Sequence, residues 1–124
     1  MSWLAIALGA TLGAWLRWGL GVWLNSADSQ VALGTLAANL GGGFIIGMAV
    51  GFFSGHAELP PAWRLFAVTG FLGGLTTFSS FSAESMLLLQ RGEFGWAFAH
   101  SALHLVGALA CCFAGAAFYK ALVS

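Results

Sequence analysis

Long apolar runs separated by short polar ones set the outline of this chain. Trp3–Leu24, Val31–Phe53, Leu65–Leu89 and Gly95–Leu122 are built almost wholly of apolar and small residues. Each reaches the roughly 20 residues that a helix needs to cross a bilayer. The breaks are Asn25-Ser26-Ala27-Asp28-Ser29-Gln30, then Ser54 to Arg64 with Pro60-Pro61, then Gln90-Arg91-Gly92-Glu93. The pattern predicts an all-α membrane protein of four transmembrane helices forming one domain over residues 1–124. The spans use up the chain and leave no soluble domain or linker. Met1-Ser2-Trp3 lacks a basic n-region and the first span is too long for a cleaved signal, so that span is expected in the mature protein.

Composition points the same way. Hydrophobic residues make up 60% of the chain and charged ones 6%, against roughly a quarter charged in an ordinary soluble domain. Four basic and four acidic side chains give a net charge of zero, which supplies no basic patch for nucleic acid. Cys111 and Cys112 are adjacent within the fourth span and read as packing residues rather than a disulfide framework.

Placement of charge says more than its total. With four spans, Arg64 and Lys120 fall on one side of the membrane and Arg17 and Arg91 on the other, two against two. Lys and Arg near helix ends set orientation. A marginal bias would still give one orientation, but the tie favours insertion both ways up and head-to-tail pairing. Gly9 and Gly13, Gly43, Gly47 and Gly51, and Gly70 and Gly74 stand at small-xxx-small spacing, which supports tight association of helices in lipid. Four thin helices enclose little space, so a pathway is expected between subunits or along their groove.

Polar groups inside a bilayer are expensive and read as functional. The densest set is in the third span, Gly70-Phe71-Leu72-Gly73-Gly74-Leu75-Thr76-Thr77-Phe78-Ser79-Ser80-Phe81-Ser82-Ala83-Glu84-Ser85. Its glycines and threonines favour a helix broken at mid-membrane, since glycine weakens a helix by about 1 kcal/mol. Such backbone is tolerated only when buried or lining a cavity. Freed carbonyls suit a small cation; freed N–H groups and a new helix N-terminus suit an anion. The plainer alternative is a packing face with Ser and Thr bonded back to their own helix.

Phe78 and Phe81, three apart, share a helix face. Phenyl rings have positive edges, so the pair suits an anion path as well as a core. Thr77, Ser80 and Glu84 form a neighbouring stripe. Asn39 is the one strongly polar residue of the second span; it either fixes helix packing or donates to a passing ion. Arg17, among Trp15, Trp18 and Trp23, either snorkels to the interface or forms an electropositive vestibule. His100 and His104 stand one turn apart on the fourth span. They are expected to hydrogen-bond the third-span stripe rather than hold a metal, because the sequence places no third ligand beside them. No nucleophile–base pairing is visible, so an enzyme is not expected.

Gly70-x-x-Gly73-Gly74-x-Thr76-Thr77-Phe78-Ser79-Ser80-Phe81, with Gly9-Ala-Thr-Leu-Gly-Ala-Trp-Leu-Arg17 and Asn39-Leu-Gly-Gly, resembles the fluoride channels called Fluc or CrcB. The likeness runs the full length; Ser80 stands where that family often has Thr. The resemblance implies an antiparallel, dual-topology homodimer in the bacterial inner membrane with two fluoride pores, exporting cytoplasmic fluoride passively and conferring fluoride resistance. It implies that Phe78 and Phe81 line the pores and that Asn39 donates to the ion. Thr77, Ser79, Ser80, Glu84 and His104 are expected on or beside the polar track, with Arg17 near a vestibule. Backbone carbonyls of Gly73 and Thr76 from both subunits are expected to hold a structural Na⁺ at the dimer interface. The partners are thus a second copy, fluoride ions and the lipid bilayer.

The nearest rival is a small multidrug-type proton-coupled exporter. That class resembles this chain in size but needs a carboxylate in the first span, which has no Asp or Glu. A non-conducting assembly subunit would be polar only at packing faces, and the third-span run argues against it.

Overall fold

The computed structural model describes all of residues 1–124, and the chain is helical except for short turns. Helix α1 is Ser2–Leu24 and α2 is Leu33–Ser54. The third span comes in pieces: α3 (Pro61–Arg64), a π-helical stretch (Leu65–Leu72), α4 (Gly73–Leu75) and α5 (Phe78–Gln90). Helix α6 is Phe94–Val123. Ser2–Leu24, Leu33–Ser54, Pro61–Gln90 and Phe94–Val123 are each long and apolar enough to cross a membrane, and this is a multi-pass membrane protein.

Local chemistry sets the ends. The third span begins at Pro61 rather than Leu65, because proline takes the first helical position, where its missing N–H costs nothing. Asn25, just past α1, reaches across the first loop, and its Oδ1 accepts the Gly34 N–H at 2.6 Å near the start of α2. Gly92, with φ of 76°, turns the chain between α5 and α6, a backbone state that glycine adopts freely.

The helices pack in two pairs. α1 lies against the first half of the third span, and α2 against α6, while α5 meets α6. Close approach explains the glycines. A Cβ at Gly9 would run into the Phe66 carbonyl and sit 2.7 Å from the Phe71 nitrogen, and one at Gly74 would meet the Ala10 backbone. Across the other pair, a Cβ at Gly47 would collide with the Cys112 carbonyl. The small-residue faces read from the sequence as association surfaces are therefore spent inside one chain. Cys111 and Cys112 are free and partly buried. The outer surface is apolar, with Trp18, Phe98 and Phe113 among its exposed side chains, as a lipid-facing exterior requires.

Candidate functional site

The third span breaks at Thr76 and Thr77, which are extended with ψ of 156° and 120°. The glycine pair before them stays helical, so of the glycines and threonines expected to break the helix it is the threonines that do, and the break falls after the glycines. Two observations explain the shift. Gly74 is pinned against α1, and the Thr76 N–H and hydroxyl both bond the Leu72 carbonyl, at 2.9 and 2.8 Å, closing the preceding turn.

Asn39 then takes over from the helix. Its Oδ1 accepts the Thr77 N–H at 2.8 Å and its Nδ2 donates to the Thr77 carbonyl at 3.0 Å. The Thr77 hydroxyl caps α5, accepting the Ser80 N–H at 3.0 Å, a usual way of satisfying a helix N-terminus. In an unbroken helix those two N–H groups go to the carbonyls four residues back, Gly73 and Thr76. Here both are diverted. The Gly74 carbonyl receives the Nε of Arg17 at 3.1 Å, so Arg17 is tied to the broken end.

A set of cross-helix bonds joins α2, the break with α5, and α6 in two rungs. In one, the Thr35 hydroxyl donates to Glu84 Oε2 at 2.8 Å, and His100 Nε2 lies 3.0 Å from Glu84 Oε1. His100, fully buried, also meets the Ser85 hydroxyl at 2.8 Å through Nδ1, and Ser85 lies 3.1 Å from Ser101. In the other rung, Asn39 Nδ2 also reaches His104 Nδ1 at 2.9 Å. Both N–H groups of Asn39 are thus used within the chain, and it acts here as a brace. His104 Nε2 is buried and has no hydrogen-bond partner.

Phe81 ties the rungs together. Its ring stacks on His104 at 4.7 Å and on His100 at 5.3 Å. Phe78 meets it edge-on at 5.5 Å and 64°. The two phenylalanines share a face but not an environment: Phe81 is 7% exposed and Phe78 is 73% exposed. Asn39, Thr76, Thr77, Phe78, Phe81 and His104 border one groove of about 570 Å³. Ser79 is exposed, with its hydroxyl 3.2 Å from that of Thr77. Ser80 contributes its N–H.

Sequence reading passed over Thr35 and Ser101, and Ser85 appeared only as the end of the third-span run. A signal for Thr35 was present: it precedes Asn39 by one helical turn, as His100 precedes His104, so each helix offers two polar groups on one face. Glu84 is also the third group that the sequence did not place beside the histidines, since ligating atoms of Glu84, His100 and His104 lie within 4.8 Å of one another.

Residues 4–116 match the family model described as CrcB-like protein, Camphor Resistance (CrcB). A protein of Cupriavidus metallidurans named fluoride-specific ion channel FluC is 52% identical over 122 residues, covering 98% of this chain and 97% of its own length. One of Pseudomonas putida with the same name is 57% identical over 119 residues, covering 95% and 94%. A third, from Cupriavidus pinatubonensis, is 56% identical over 109 residues, covering 88% and 86%. With the match spanning all four helices and the broken third span, this chain belongs to the CrcB family.

Proposed function

We propose that this chain is a fluoride-selective channel that conducts passively across the bacterial inner membrane and lowers cytoplasmic fluoride. The observation that carries the reading is the Asn39-braced break set beside Phe78 and Phe81. Fluoride is small and tightly hydrated, so a path must replace its water contacts without creating a deep well. The paired hydroxyls of Thr77 and Ser79 beside the break can supply a neutral donor, and ring edges carry partial positive charge. The carboxylate of Glu84, which would repel an anion, has each oxygen engaged by Thr35 or His100. Thr77, Ser79 and Ser80 border the same path, and Arg17 contributes a positive charge at the broken helix end. The relatives that carry the name of fluoride channel support the assignment.

Assembly belongs to the same proposal. The groove is open on one side and bordered by the exposed Phe78, which suits closure by a second, antiparallel copy. The tie of basic residues, Arg64 and Lys120 against Arg17 and Arg91, supports dual topology. Diversion of the Thr77 and Ser80 N–H groups leaves the carbonyls of Gly73 and Thr76 without their helical donors. Oxygen is the ligand a hard cation takes, so these carbonyls, from both copies, fit a structural Na⁺ whose charge would make the surrounding potential positive. Fluoride efflux from liposomes holding only this protein, with chloride as control, tests the function. Fluoride release without chloride release is expected; equal release of both, or none, would refute it. A C-terminal tag reporting from both compartments is expected for dual topology, and one compartment alone would refute that part.

A further inference from the structure

The geometry points to a binding site for an anionic phospholipid at the loop end of α2 and the third span, with its phosphate on Arg64 and one acyl chain between the helices. The inference concerns the protein in its bilayer and does not depend on what the protein conducts.

Two cavities meet at Arg64 and Phe53. The deeper one, of about 190 Å³, lies between α2 and the π-helical stretch and is walled by Ile46, Ala49, Val50 and Val68. The shallower one, of about 260 Å³, lies at the second loop beside His56, Leu59 and Pro60. Sequence order explains the split. Ser54 ends α2 and Pro61 opens the third span, so one cavity is walled by helix and the other by the turn. Arg64, the last residue before the π-helical stretch, stands where they join.

Within the two cavities one group can fix an anion. Arg17 gives its Nε to the Gly74 carbonyl, and the chain's one ion pair joins His100 to Glu84. Arg64 has no partner. The Ser54 hydroxyl is committed to the Val50 carbonyl at 2.6 Å. His56 Nδ1 lies 2.7 Å from the Phe52 carbonyl. A carbonyl only accepts, so Nδ1 carries the hydrogen and Nε2 of the neutral ring is bare. Pro60 and Pro61 have no N–H. A guanidinium presents a planar fork of donors that matches phosphate. Glu58, exposed in the same loop, borders neither cavity, so no carboxylate is in place to hold the ammonium of a zwitterionic head group.

The deeper cavity decides between a lipid and a free ion. Its apolar walls offer nothing to a second ion, and water there has too few polar partners to settle. A molecule with an anionic head and a hydrocarbon chain fits both cavities at once. Depth agrees. The apolar run of the third span starts at Leu65, and Trp63, 62% exposed, marks the head-group level that tryptophan favours. Basic pockets between membrane helices take lipid head groups in this way. An arginine that merely snorkels needs no such chamber beneath it. Ile46 and Val68 also border the groove of about 570 Å³, so the acyl chain runs beside the face assigned to the second copy.

The test uses the full-length protein in detergent, stripped of lipid and then given equal amounts of phosphatidylglycerol and phosphatidylcholine. Native mass spectrometry reads the lipid retained. Phosphatidylglycerol is expected to be kept about fivefold over phosphatidylcholine, the effect of one basic side chain at a membrane surface. Arg64→Gln is expected to erase that preference. Val50→Phe, which extends an exposed side chain into the deeper cavity, is expected to lower retention of both lipids with Arg64 intact. Lys120→Gln, which removes the same charge from another span end, is expected to change nothing. Equal retention of the two lipids by the wild-type protein overturns the site. So does an equal loss from Arg64→Gln and Lys120→Gln, which is the behaviour of diffuse charge. Displacement of phosphatidylglycerol by inorganic phosphate overturns it in favour of a free-anion site. Unchanged retention by Val50→Phe overturns it too, and loss of the dimer on size-exclusion chromatography in the same variant would give the cavity to the second copy. If Arg64→Gln does not fold, the wild-type preference and Val50→Phe decide together. No readout involves fluoride, so the channel reading stands or falls separately.

Discussion

The two halves of the third span are one helix interrupted, yet different forces hold them. Before the break, the π-helical stretch Leu65–Leu72 and α4 lie on α1 by backbone contact, with Gly9 against Phe66 and Phe71 and Gly74 against Ala10. After it, α5 packs on α6, and its fixings are side-chain hydrogen bonds from Thr35, Asn39 and His100 through Glu84 and Thr77. A backbone contact is all-or-none, because a methyl group has nowhere to go. A hydrogen-bonded contact is adjustable and exposes donors along its edge. The first half therefore holds position, and the second places its polar groups and phenylalanines along the groove. The switch between them comes at the residue where Asn39 captures the peptide of Thr77.

That division can be broken at either end. The largest effect is expected from Gly9→Val, which drives a side chain into the Phe66 carbonyl. No monodisperse protein is expected by size-exclusion chromatography, and a folded, fully stable variant would show that the glycine contact is not what seats α1. Asn39→Ala comes next. It strands the Thr77 N–H and carbonyl and frees His104 Nδ1, and each buried polar group left unpaired costs about 1–3 kcal/mol. Thermal unfolding in detergent is expected to show a clear loss of stability, with fluoride efflux lost as well; an unchanged midpoint would mean the brace is incidental. Ser82→Ala should matter least. The Ser82 hydroxyl only bonds back to the Phe78 carbonyl on an exposed face, and changes at such surface sites stay within about 0.5 kcal/mol. A drop in efflux there would extend the working face of α5 beyond the Phe81 side.

Much of this was legible in the chain. Apolar length and polar breaks give the four spans, since a bilayer leaves a helix little freedom of length. Thr76 and Thr77 stood in the run flagged for a break. Its position within that run was set by a contact that no local reading contains, Ala10 against Gly74, together with Thr76 closing the preceding turn on the Leu72 carbonyl. Asn39 was visible as costly, but its threefold use was not, because the distance in sequence from Asn39 to Thr77 and His104 carries no register between helices. Arg17 was legible as a charge near the end of α1, but its bond to the Gly74 carbonyl was not, for the same reason. Spacing within one helix was informative and pairing between helices was not. His100 and His104 were found by their one-turn repeat, and the expected bond to the third-span stripe is there between His100 and Glu84, whereas Asn39 as the partner of His104 emerged only once α2 and α6 were set side by side.

The central claim is that ring edges in the second half carry the anion, and exchange of phenyl for aliphatic bulk tests it most directly. Phe78→Ile and Phe81→Ile keep apolar volume but remove the positive edge, and similar-volume swaps usually cost under about 1.5 kcal/mol. Fluoride efflux from liposomes is to be measured on protein first shown to be folded and of wild-type assembly size by size-exclusion chromatography. The account predicts that efflux collapses in both variants while stability changes little. Wild-type efflux from both would mean that Phe78 and Phe81 only pack, and that the anion travels elsewhere.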